Sequence, residues 1–161
     1  MDAVTYPDDA VVTAIEKGFA PFKINMMERH PDFKEACAGG RVMWGPTLIV
    51  ADARGREVRR WVGWLPPRSF VAELDFCRAL AQYNNGKFAE ALAGFDAIVE
   101  RDTGTEIHPE ALYWQGIAGF MAGSQDWTAL RRSWTRLADD YPDNRFGTHA
   151  SVIEDAPEET V

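Results

Sequence analysis

Short strand-like and helical runs alternate along the first half of this chain, and after Asn84-Asn85-Gly86 the apolar positions keep a helical period to nearly the end. Asp8 and Asp9, after Pro7, supply a helix cap. Val11, Val12, Ile15 and Phe19 follow at helical spacing, and Gly18 marks the helix end. Phe19–Asn25 predicts a short strand, with Pro21 confined to its edge or start because proline has no ladder N–H. Residues 31–38 predict a short helix carrying Phe33 and Cys37 on one side, ended by Gly39-Gly40. Thr47–Ala51 reads as a strand, Asp52-Ala53-Arg54-Gly55 as a turn, and Glu57–Trp61 as the return strand of a hairpin. Leu65-Pro66-Pro67 ends it, and Pro67 suits the first turn of the next helix. There Phe70, Leu74, Cys77 and Ala81 share one face.

Beyond Gly86 the pattern is of helical hairpins. Phe88, Ala91, Leu92, Phe95, Ile98 and Val99 define one helix. His108-Pro109-Glu110 opens a second, with Leu112, Trp114, Ile117, Phe120 and Met121. Trp127, Leu130, Trp134 and Leu137 line a third, which stops at Tyr141-Pro142. A loose repeat joins them: Gly86, Phe88, Ala91-Leu92 and Phe95 recur as Gly123, Trp127, Ala129-Leu130 and Trp134, an offset of 37 to 39 residues. Residues 147–161 are polar and acidic, and a mobile tail is expected there.

Composition narrows the class. A length of 161 residues with 46% hydrophobic and 12% aromatic content allows a real core. A net charge of −8 argues against nucleic acid as a main partner, since phosphate binding needs a basic surface. No apolar run reaches the ~18 residues of a membrane helix, and residues 1–18 lack the apolar stretch of a secretory signal. The expected setting is therefore cytoplasmic, with no membrane partner.

Candidate chemistry is sparse. Cys37 and Cys77 lie forty positions apart, which is neither a disulfide framework nor a metal-ligand spacing. Cys37, near Lys34 and Arg41, is a weak candidate for a lone redox thiol, and a small buried residue is the favoured reading. Cys77 reads as core. His30, His108 and His149 have no second ligand at i+3 or i+4; His30 and His108 precede proline and look like turn or helix-start residues, so no metal or other cofactor is expected. Arg54, Arg56, Arg59 and Arg60 form a basic hairpin, read first as a charged edge that resists aggregation and second as a contact for an acidic partner. Trp44 and Trp64 fall in loops and are the tryptophans expected at the surface, where they would suit a peptide.

Two resemblances organise these readings. Residues 8 to about 76 resemble the back part of the thioredoxin family: helix, strand, short helix, then Gly45-Pro46-Thr47 opening a strand, Asp52-x-x-Gly55, a second strand, Gly63, and a helix from Pro67. The resemblance implies that Trp44, Gly45, Pro46 and Thr47 form the proline loop facing a redox site; the sequence leaves open whether the Gly45–Pro46 bond is cis. The family's Cys-x-x-Cys and the strand that carries it are absent from these 161 residues. Met1-Asp2-Ala3 reads as the inside of a longer helix, which favours a start upstream of Met1 over the two other readings, strands that close up or a second chain that fills the gap. Residues 75–146 look like two tetratricopeptide-type helix pairs, with Ala79 as the small residue of the leading helix and Gly86 at its turn.

The expectation is thus an α/β, thioredoxin-like partial sheet over residues 1–76 lacking its first strand and redox motif. Tetratricopeptide-like helical hairpins follow over 77–146, then an acidic tail over 147–161. Its expected function is binding of a protein or peptide, with Trp44, Gly45, Pro46, Thr47 and Trp64 as the candidate residues. The exposed sheet edge and the concave face of the helix pairs are the other surfaces it could use. Self-association through the exposed sheet edge is a further expectation. The alternative is a thiol–disulfide oxidoreductase whose Cys-x-x-Cys lies upstream.

Overall fold

The structure, a computed structural model, describes residues 1–28, 30–37 and 42–155. Among them are seven α-helices and one two-stranded antiparallel sheet, a mixed α/β arrangement. The helices are α1 (Asp9–Glu16), α2 (Phe33–Ala36), α3 (Pro67–Asn84), α4 (Phe88–Arg101), α5 (His108–Ala122), α6 (Trp127–Asp140) and α7 (Arg145–Ala150). The strands are β1 (Thr47–Ala51) and β2 (Glu57–Val62). The chain separates into two compact units, Met1–Cys77 and Arg78–Val161.

In the first unit Asp8 caps α1 as its position predicts, its carboxylate accepting from the backbone of Ala10 and Val11. Val11 and Ala14 of α1 then bury against Phe70 and Leu74 of α3, and Leu48, Trp61, Leu65 and Tyr6 pack around that cluster. Leu48 and Trp61 are opposite one another in the β1–β2 register, so a single sheet face carries both into the core. The rings of Tyr6 and Trp61 meet Phe70 edge-on, at centroid distances of 5.9 and 6.0 Å.

Two expectations are corrected. Phe19–Asn25 is not a strand: it is irregular chain with Phe22 two-thirds exposed. Pro21 removes one ladder donor, and Asn25 turns the chain locally, accepting from the Met27 amide and donating to Glu28. The expected mobile tail also begins too early. Asn144 caps α7 by accepting from the Phe146 amide, and a 3-10 turn over Ser151–Asp155 follows, with Ala150 and Ile153 buried. Residues 156–161 and Gly39-Gly40 lie outside the described residues.

In the second unit α5 packs against α4 on one side and α6 on the other. The crossings are close because the contact residues are small. A Cβ on Gly94 of α4 would come 2.8 Å from Cβ of Ala79, and one on Gly116 of α5 would come 2.7 Å from the Trp134 indole. Asp126 caps α6, and Ser124 and Gln125 take left-handed backbone angles in the turn before it.

Candidate functional site

The hairpin is set by its turn. Asp52 accepts from the Arg54 and Arg56 amides at 2.9 and 3.0 Å, and Gly55 takes φ +76°, which an L side chain resists. The Arg56 guanidinium bonded to Asp52 holds that carboxyl below its ordinary pKa. From there β1 and β2 pair outward until Thr47 meets Val62. The pairing continues into the loop: the Gly63 amide donates to the Pro46 carbonyl at 2.9 Å. Thr47 Oγ1 donates to the Trp44 carbonyl at 2.6 Å, closing the loop on itself. The Gly45–Pro46 bond is cis.

This geometry brings the five expected binding residues to one end of the hairpin. Trp44, Gly45 and Pro46 are exposed, Thr47 is half-buried, and Trp64 follows two residues after the strand partner of Thr47. Trp44 is 70% exposed and Trp64 53%, as their loop positions predicted. Two further residues join them that were not singled out from the sequence: Met43, beside Trp44, and Val62, at the end of β2. The alternation of β2 carried the signal for Val62, since it must point away from the face that buries Trp61.

Thr5, far away in sequence, fixes the second tryptophan. Its hydroxyl is buried, accepts from the Trp64 indole N–H at 2.9 Å and donates to the Leu65 carbonyl at 2.8 Å. No sequence pattern marks Thr5; its role comes from the turn over residues 1–6, where the amides of Val4, Thr5 and Tyr6 all donate to the Met1 carbonyl.

The arginines of the hairpin face carboxylates. Arg59 grips Glu73 with two nitrogens and lies over the Phe76 ring, Arg60 meets Glu57, and Arg56 meets Asp52. The bonded Arg60 guanidinium lowers the Glu57 carboxyl pKa, and Glu57 in turn raises that of Arg60. The charges of Arg56, Arg59 and Arg60 are thus balanced by carboxylates of the same unit.

Cys37 caps the end of α2 with its thiol buried, and its carbonyl oxygen accepts from Arg60 at 2.8 Å. Arg41, the cation invoked beside it, lies outside the described residues. Cys77 is buried in α3, as its helical position predicted. Among the described residues no group of His, Cys, Asp and Glu is arranged to hold a metal, and no helix is long and apolar enough to cross a membrane. What the site offers chemically is an apolar contact surface beside a strand edge. No family model, curated protein or solved structure matches this chain.

Proposed function

We propose that the chain is a protein-binding module: a thioredoxin-like unit whose proline loop receives an extended, apolar peptide segment, followed by tetratricopeptide-like helix pairs. The gathering of Met43, Trp44, Val62 and Trp64 at one end of the hairpin, each more than half exposed, carries this reading. Exposed apolar sets that include aromatics are the usual anchors of peptide recognition. The strands supply the complementary element. Among the described residues each has one hydrogen-bonded neighbour, so each leaves an edge of backbone donors and acceptors for an added segment. The ligand is apolar rather than acidic because Arg56, Arg59 and Arg60 already face carboxylates of the same unit. Thiol exchange by Cys37 or Cys77 themselves is disfavoured because both are buried, and a thiolate must reach the disulfide it attacks. The pairing of α3 with α4 through Ala79 and Gly94, and of α5 with α6 through Gly116 and Trp134, supports the helical half of the reading.

The test is a calorimetric titration of the full chain with an unfolded, carboxymethylated polypeptide. Trp44→Ala removes a side chain that is 70% exposed, so the fold should survive. Affinity should fall about tenfold, the loss of one aromatic anchor. Trp127→Ala, at an exposed tryptophan of the other unit, should bind as the unaltered chain does. Equal binding by the two variants would overturn the assignment of the site. So would concentration-dependent self-association that excludes the probe, because a second copy would then be the occupant.

A further inference from the structure

His108 is the first residue of α5, and its ring is 1% exposed. Its Nε2 lies 3.1 Å from the Val99 carbonyl oxygen, in the last turn of α4. Its Nδ1 lies 2.8 Å from the hydroxyl of Tyr141, the residue that closes α6. A carbonyl oxygen can only accept, so Nε2 carries the hydrogen of the neutral ring. Nδ1 is then a bare acceptor, and the Tyr141 hydroxyl donates to it. One imidazole thus ties together the end of α4, the start of α5 and the end of α6.

We propose that this ring is an acid-sensitive clasp: a proton taken up on Nδ1 removes the acceptor used by Tyr141, so that its hydroxyl must turn to accept instead, leaves a cation in a buried place, and thereby loosens the end of α6 with α7 behind it. Charged groups act on the ring from α6 and from the α4–α5 loop. Arg136 of α6 opposes the added proton, while Asp140 of α6 and Asp102 of the α4–α5 loop favour it. Glu110, buried on α5 itself, sits two residues on. The positive end of α5 also disfavours an imidazolium at its first position. Burial is the largest influence and holds the ring below the ordinary histidine pKa, against the Val99 hydrogen bond, which raises it.

The sign of the pH effect follows. The folded pKa is the lower one, so as pH falls the opened form takes up its proton first. The contribution of the clasp is complete above about pH 6.5 and is lost as pH falls from there through the folded value. One proton is involved, so the opening equilibrium changes by at most about tenfold per pH unit.

Hydrogen exchange of the full chain from pH 7.5 to 5.0, corrected for intrinsic exchange rates, reads this directly. Protection over residues 127–150 should fall with acid in the unaltered chain. It should stay level in His108→Gln, whose side chain can still donate to Val99 and accept from Tyr141 but cannot titrate. The same acid dependence in both would overturn the clasp. Ring nitrogen shifts in the unaltered chain give a second reading that needs no variant. The Nε2–H tautomer at pH 7, titrating below the ordinary histidine range, is expected. An Nδ1–H tautomer, or a ring already charged at pH 6.5, would overturn it.

Discussion

At the scale of the residue, the least conspicuous side chain near the candidate surface has one of the largest structural roles. The Thr5 hydroxyl is buried and makes two hydrogen bonds at once, one from Trp64 and one to Leu65. Thr5→Val keeps the shape and removes both. Two part-buried groups then lose their partner, which costs about 1–2 kcal/mol. A urea midpoint lowered to that extent is expected, with Thr5→Ser, which keeps the hydroxyl, closer to the original; equal losses in the two would show that only the methyl matters. Trp44 and Trp64 were legible in the sequence because they sit outside the periodic runs, and loops place side chains at the surface. Thr5 and His108 were not, because each acts on residues that the fold, not the sequence, brings close. His108 looked like a residue that merely starts a helix, and nothing in its neighbours foretold Val99 and Tyr141 around it.

Elements were legible where a local pattern and its punctuation agreed. The hairpin had an apolar run at Leu48-Ile49-Val50, an alternating return strand and an Asp-x-x-Gly turn between, and α1 had its Asp8 cap. Phe19–Asn25 had the composition of a strand, yet a strand also needs a partner, which composition does not report. The segment after Tyr141 was dominated by polar residues, and the sparse apolar set Phe146, Ala150 and Ile153 was overlooked, although Asn144 stands before it as a cap. For α5 the apolar spacing suggested one side. Leu112 is buried as that spacing suggested, but Trp114, Ile117 and Phe120 are only half-buried, and the small residues Ala111, Gly116, Ala118 and Gly119 are buried instead. A helix packed between two others buries its small residues at the crossings, where side-chain volume limits approach. The same logic gives a prediction at Gly94. Alanine there gains about 1 kcal/mol of helix propensity, but its Cβ would meet Ala79 Cβ at 2.8 Å, and that atom cannot swing aside. The overpacking term of about 1–3 kcal/mol should win. Thermal unfolding of Gly94→Ala should therefore occur at lower temperature, and a rise would mean that α3 and α4 can move apart freely.

Across the whole molecule, the two units differ in how their backbone is held. In the first, the sheet has two strands, and a two-stranded sheet is marginal until something covers it. In the second, α5 lies against both α4 and α6, and its buried residues run from His108 in the first turn to Gly119 in the last. Local opening should follow that difference. Hydrogen exchange of the full chain at pH 7.5 should show the amides of β1 and β2 exchanging at least about tenfold faster than the core amides of α4 and α5. Equal protection would mean that the hairpin is secured as firmly as the helices, and that its edge is not open to a guest strand. The binding reading sharpens the outcome further. A peptide that adds to the edge supplies partners for hairpin backbone groups, so the unfolded, carboxymethylated polypeptide should slow exchange over residues 47–51 and 57–62 and leave α4 and α5 unchanged. Protection that rises uniformly along the chain would instead mark general stabilisation by a ligand bound elsewhere. A change confined to α4–α6 would move the binding surface from the proline loop to the helices.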